Sequence, residues 1–342
     1  MGSAPQYETG WIARWDLDKT YLRTEFATLR DLVRTALERP ADKQAFAGAT
    51  ATMRELIAQG VAIHILSGSP EQMRRRLAAK LLLDGVKWQS LTLKPNLENI
   101  LRLRFRAIKD QLGYKLPALL SARASLRGNA SELPRELLFG DDSEADAFVY
   151  ALYADIGAGL LHRGVVREVL ERGRVYDDRI EATLSSCDAI DPVPFVARMF
   201  IHLERQSPPE DFAVYGRRLV PIYNYFQVAL CLCEDERIPA EGVLRVAREF
   251  VVDHHFDGEA LTRSYRDLAR RGFLRGTRTE ELRDAFTLAR EERTLSLPSQ
   301  VGRFIETLDD CAAYAKATFC EEGFVLPNYL ELVAHHNARR RL

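Results

Sequence analysis

Acids and hydroxyls crowd three short stretches of this sequence. "DLDKT" carries Asp16 and Asp18 with Thr20 two residues on, "ILSGSP" carries Ser67 and Gly68, and "GDDSEAD" carries Asp141, Asp142 and Asp146. Brought to one place, so many carboxylates repel and raise one another's pKa unless a cation neutralises them. A hard divalent ion with oxygen ligands meets that need, and Mg2+ is the usual choice where a phosphate shares the site. Taken singly, each stretch has an ordinary structural reading, since acids end strands and cap helices and a serine before Gly-Ser-Pro suits a turn. Their co-occurrence is what points to chemistry.

Such a gathering requires elements that end side by side. Each stretch closes an apolar run, "WIARWDLD", "GVAIHILSGSP" and "RELLFGDDSEAD". Between the runs, apolar residues recur at three- and four-residue spacing and predict helices over Phe26–Leu37, Gly48–Ala58 and Pro70–Leu83. Strands alternating with helices imply the α/β class, a parallel sheet covered on both faces. In open sheets of this kind ligands bind outside the carboxyl ends of the strands, where all three runs place their polar residues.

From about Gly159 the strand signals fade. Segments from "VPFVARMFIHLERQ" through "LVPIYNYFQVALCLCEDE" to "VGRFIETLDDCAAYAKATFCEEG" carry helical spacing and are separated by "QSPPED", "ERIPAEG" and "LSLPSQ". The expected organisation is therefore an α/β domain over 1–158 followed by an all-α accessory domain over 159–342, and 342 residues suffice for two cores. Unequal segment lengths without a shared signature argue against a solenoid.

Order and spacing now narrow the chemistry. D-x-D-x-T after a strand, a later strand ending in Ser, a Lys, and then G-D-x-x-x-x-D after another strand resemble the haloacid dehalogenase superfamily of phosphohydrolases. "SGSPEQM", "YKLPALLSAR" and "LLFGDDSEADAFVYALYADI" further resemble the catalytic domain of the phosphatidate phosphatases of fungal actin-patch proteins and their bacterial relatives. That likeness spans residues 10 to 157, and the wording G-D-S-G-x-x-D-P of that family is absent. The resemblance implies a Rossmann-like sheet and a Mg2+-dependent phosphatase. It implies Asp16 as the nucleophile that forms an aspartyl-phosphate and Asp18 as the acid and base, with Thr20, Ser67 and Gly68 around the phosphoryl group. Asp16, the backbone carbonyl of Asp18 and Asp141 would hold the metal, with Asp142 or Asp146 in support. Lys115 in "GYKLPALL" best fits the family's lysine, with Lys109 and Lys94 as alternatives.

Other features point elsewhere or nowhere. The chain holds 48 basic and 49 acidic residues, so no overall charge favours nucleic acid or an anionic membrane. Charges interrupt every apolar segment before the roughly 20 residues of a membrane span, and no signal-peptide pattern opens the chain, so a cytoplasmic location is expected. The five cysteines form no paired-ligand array, and Cys231 and Cys233, spaced C-x-C in an apolar run, read as core thiols. The pairs His254–His255 and His335–His336 converge poorly on one ion, because adjacent helical residues point apart. The competing expectation to a phosphatase is a scaffold protein whose helical region engages a protein partner without turnover.

Overall fold

The structure is a computed structural model, and it describes residues 10–23, 43–94, 108–126, 132–292, 294–321 and 324–338, with side chains from 111 onward in the helix beginning at Ile108. The helix expected over Phe26–Leu37 lies outside these residues. At the centre is a six-stranded sheet of β1 (Trp11–Trp15), β2 (Ala62–Pro70), β3 (Ser90–Lys94), β4 (Arg135–Asp141), β5 (Val196–His202) and β6 (Leu219–Ile222). Its order is β3-β2-β1-β4-β5-β6, and every neighbouring pair is parallel. The α/β class expected from the sequence is thus what the chain adopts.

Helices cover both faces. Ala13, Trp15, Leu137, Phe139, Phe200, Val220 and Ile222 face one core, which they share with α1 (Ala49–Ala58) and α2 (Arg74–Leu83). Leu138, Met199, Ile201 and Leu219 face the other, shared with α3 (Ile108–Ala124), α4 (Asp146–Gly157), α5 (Arg163–Arg172) and α6 (Asp177–Asp188). Burial on both sides is why β1 and β4 read as nearly continuous apolar runs rather than alternating ones. The exception inside β1 is Arg14, whose guanidinium pairs bidentately with fully buried Glu136 of β4 at 2.5 and 2.8 Å. Tyr153 adds a hydrogen bond to Glu136 at 3.0 Å. Paired and hydrogen-bonded charge is the form in which an arginine can occupy a central strand.

The all-α expectation for 159–342 is corrected by β5 and β6, which extend the same sheet past β4. The sheet therefore crosses the boundary expected at 158. A short apolar run cannot be assigned to helix or strand by periodicity alone, and "VARMFIH" follows Pro192 and Pro194, which stop a helix. β6 is only four residues, with Pro221 on an edge strand, and it was hidden at the head of a segment whose remainder is helical.

Beyond β6 the helical reading holds. α7 (Tyr225–Glu234), α8 (Ala240–His254), α9 (Gly258–Arg270), α10 (Thr279–Glu291), α11 (Ser299–Glu306) and α12 (Leu308–Thr318) build out the first core, and α13 (Tyr329–Ala338) packs on the second. Cys231 and Cys233 are buried in α7, as core thiols should be. No helix among the described residues is long and apolar enough to cross a membrane.

Candidate active site

The chain leaves β1 toward β2 and β3 on one side and returns to β4 on the other, so strand order reverses between β1 and β4. Crevices form at such switch points, outside the carboxyl ends of the strands. Asp16 sits there, its amide bonded to Phe139 of β4 at 2.9 Å and its side chain 1% exposed. The following residues wrap into a turn in which the amides of Tyr21 and Leu22 donate to Leu17 at 3.0 and 2.8 Å. Lys19 takes a left-handed conformation at φ 63°, which is sparsely populated for a residue with a side chain. Two carbonyls of this turn are held from afar: Tyr225 donates its hydroxyl to Thr20 at 2.7 Å, and His202 Nδ1 lies 3.3 Å from the carbonyl of Lys19.

A buried ammonium sits among three carboxylates beside this turn. Lys115 Nζ, on α3, lies 3.1 Å from Asp16 Oδ1, 2.8 Å from Glu144 Oε2 and 2.6 Å from Asp146 Oδ1, and its side chain is 0% exposed. Burial disfavours its charge, but Asp146, Asp16 and Glu144 outweigh burial and hold the ammonium protonated well above the usual lysine range. Lys115 is thus the lysine that meets Asp16. Lys94 ends β3 with its ammonium 5.9 Å from the centre of the Tyr114 ring, and the side chain of Lys109 lies outside the described residues.

Asp18 faces β2. Its Oδ2 accepts from Ser67 Oγ at 2.9 Å and Ser69 Oγ at 2.6 Å, and Ser69 returns its amide to Ser67 Oγ at 2.9 Å. The sequence expectation put a helix start at Pro70, whereas β2 continues through Pro70 and a short 3-10 turn over Glu71–Met73 follows. In the extended chain Ser67 and Ser69 share a side, two residues apart. Gly68 lies between them, and a Cβ built on it would meet nothing within 4 Å.

At the end of β4, Asp141 Oδ1 accepts the amides of Ser143 and Glu144 at 2.6 and 3.2 Å, a turn that brings Glu144 round to Lys115. Asp146 Oδ2 reaches back to the amide of Asp141 at 3.2 Å. That approach needs Gly140, because a Cβ there would stand 2.5 Å from Asp146 Oδ2. Asp142 departs from its expected role. Its two oxygens accept the amides of Arg205 and Ser207 at 2.8 and 3.1 Å, so it shapes the loop after β5 rather than supporting a metal. Alternation along the chain end turns it away from its neighbour Asp141.

Electrostatically, among the described residues one ammonium faces five carboxylates: Asp16, Asp18, Asp141, Glu144 and Asp146. Burial pushes the Asp16, Asp18, Asp141 and Asp146 carboxyls above the ordinary range. Lys115 opposes burial at Asp16, and the hydroxyls of Ser69 and Ser67 oppose it at Asp18. Among the described residues no hydrogen bond reaches buried Asp18 Oδ1, and buried Asp16 Oδ1 has only the ion-pair contact with Lys115 at 3.1 Å. Asp16 Oδ2 and Asp141 Oδ2 share the single proton of Thr20 Oγ1, at 3.4 and 3.3 Å.

This donor set, all oxygen and short of positive charge, fits a hard divalent cation such as Mg2+. Oxygens of Asp16, Glu144 and Asp146 lie within 4.8 Å of one another and form a candidate metal group, but the Lys115 ammonium already stands among them. Asp16 and Asp141, joined through Thr20, are the better pair for a second cation.

The sequence-derived residues Asp16, Asp18, Thr20, Ser67, Lys115, Asp141 and Asp146 therefore converge in one linked cluster at the carboxyl ends of β1, β2 and β4. Glu144, Ser69, Tyr225 and His202 were missed. Glu144 stood inside the quoted motif, and the period of two in "SGS" was the available signal for Ser69. Nothing local marks Tyr225 or His202, which arrive from β5 and α7. Comparison with protein-family models, with curated proteins and with solved structures finds no match to this chain.

Proposed function

We propose that the protein is a Mg2+-dependent phosphatase of haloacid dehalogenase type, hydrolysing a phosphate monoester through an aspartyl-phosphate on Asp16. The observation that carries this reading is the meeting of Asp16, Asp18, Lys115 and Asp141, from three separate segments, at the switch point of a parallel sheet. A carboxylate oxygen of Asp16 attacks phosphorus as the bond to the substrate oxygen breaks. Asp18, in the role of general acid that the resemblance implies, passes a proton to that leaving oxygen; burial shifts its carboxyl upward, in the direction that role needs. Asp18, now a carboxylate, takes a proton from water, which attacks the acyl phosphate, releases phosphate and restores Asp16.

Lys115 opposes the burial that disfavours the Asp16 carboxylate and supplies positive charge beside the transferring phosphoryl group, the kind of fixed field that dominates such reactions. Asp16 and Asp141 would hold Mg2+, which would supply further charge neutralisation for the phosphoryl oxygens. Ser67 donates to Asp18 while that residue is a carboxylate; once Asp18 is protonated, the Ser67 hydroxyl is released to donate to a phosphoryl oxygen. Among the described residues nothing stands within 4 Å of a Cβ built on Gly68, which is compatible with a group bound there.

The test is hydrolysis of an aryl phosphate with and without Mg2+, with Asp16→Asn as control. Metal-dependent release of phosphate by the wild type alone is expected. No turnover by the wild type across a broad panel of phosphate monoesters refutes the reading.

A further inference from the structure

We propose that Tyr225 is a positioning residue of this site, acting through Thr20 and not on substrate; the inference rests on the phosphatase reading above. Tyr225 opens α7 and is 1% exposed, and its hydroxyl donates to the Thr20 carbonyl at 2.7 Å across 205 positions of sequence. The hydroxyl of the same Thr20 touches both Asp16 Oδ2 and Asp141 Oδ2. One tyrosine proton therefore fixes the residue that sets the spacing of the two carboxylates best placed for the metal.

The anchor is itself rigid. Asn224 caps α7 by accepting the amide of Gln227 at 3.1 Å, and Gln227 Nε2 donates to Ser264 and Asp267 of α9, both at 3.0 Å. The Tyr225 ring lies 5.6 Å from Trp15, which is stacked on Phe139 at 3.9 Å. The turn it holds has a reason to need holding: Lys19 at φ 63° is costly, and such conformations persist where surrounding structure over-determines them. His202 at the Lys19 carbonyl and Tyr225 at the Thr20 carbonyl are that structure, contributed by β5 and α7. The C-terminal half thus completes the site instead of merely covering it.

The test compares full-length wild type with Tyr225→Phe, Thr20→Val and the double variant. Steady-state hydrolysis of an aryl phosphate at saturating Mg2+ gives kcat and KM, and calorimetric titration with MgCl2 in the absence of substrate gives a midpoint independent of turnover. Tyr225→Phe keeps the ring and removes one hydroxyl. We expect kcat to fall about tenfold with KM within about twofold, as for a small misplacement of reacting groups, and the MgCl2 midpoint to rise several-fold. The double variant should be no worse than Thr20→Val alone, because both changes cut one connection. Tyr225→Met, of similar apolar volume, should give the same kinetic loss and serves if the phenylalanine variant does not fold.

A wild-type kcat and MgCl2 midpoint in Tyr225→Phe overturn the proposal while leaving the phosphatase reading in place, as do losses that multiply in the double variant. Absence of turnover by the wild type itself overturns that reading and the inference with it.

Discussion

Replacing Lys115 by Met tests the electrostatic account of the site in the folded protein, independently of any substrate. Methionine fills much of the lysine volume but leaves Asp16, Glu144 and Asp146, now within 3.1 Å of one ammonium, without their shared counter-charge. Removing one partner of a buried ion pair costs about 3–5 kcal/mol. An unfolding entropy of about 2.1 cal/mol/K per residue gives the 342-residue chain about 0.7 kcal/mol/K, so Tm should drop by about 4–7 °C.

The deficit should depend on pH, with a definite sign. Burial already raises the Asp16 and Asp146 carboxyls, and losing the ammonium that opposes burial raises them further. An acid whose folded pKa lies above its unfolded value contributes stability that is complete below the unfolded pKa and lost as pH rises through the folded one. Scanning calorimetry in EDTA should therefore show a larger loss for Lys115→Met at pH 8 than at pH 5. An unchanged Tm at pH 8, or a larger deficit at pH 5, refutes the reasoning.

Asp16→Asn should abolish turnover yet leave Tm equal to or above that of the wild type, since it removes a charge that burial disfavours; a fall of more than about 3 °C shows instead that the charge is stabilising. Asp142→Ala should cost about 1 kcal/mol for two backbone hydrogen bonds and leave the MgCl2 midpoint unmoved, whereas a tenfold weaker midpoint makes Asp142 a ligand after all. His64, hydrogen-bonded to Ser90 Oγ at 2.8 Å, is lowered to about 4 by burial, with Arg14 adding to the effect. The stability it contributes is complete above its unfolded pKa and lost as pH falls toward 4, at most about 3 kcal/mol before solvent screening. Urea unfolding at pH 7 and pH 4.5 should show that slope in wild type and a flatter one in His64→Gln.

What the sequence made legible was local. The "DLDKT" turn, the Ser67 strand end and "GDDSEAD" each carried their residue types in contiguous stretches, so their place at one sheet edge followed from the α/β pattern. Lys115 was one of three lysines until α3 set its ammonium against Asp16. Asp142 misled because alternate residues leave a strand end in different directions, and only the loop after β5 shows what it binds. β5 and β6 were illegible for a different reason: buried on both faces and short, they lack the alternation that marks a strand. The same long-range dependence hid Arg14, whose charge makes sense only beside Glu136, 122 positions away.

The order β3-β2-β1-β4-β5-β6 also bears on how the chain is made. During synthesis β4 emerges before β5, the strand that pairs with its open side, and 61 residues separate Asp141 from His202 at the end of β5. At about 5–20 residues per second the ribosome takes about 3–12 s to deliver them. Through that interval a nascent chain carrying "RELLFGD" presents an unpaired apolar edge, the template on which chains pair with one another. Overproduction that brings many such nascent edges together should therefore deposit the protein as aggregate before the site, one strand of which ends in Asp141, has formed.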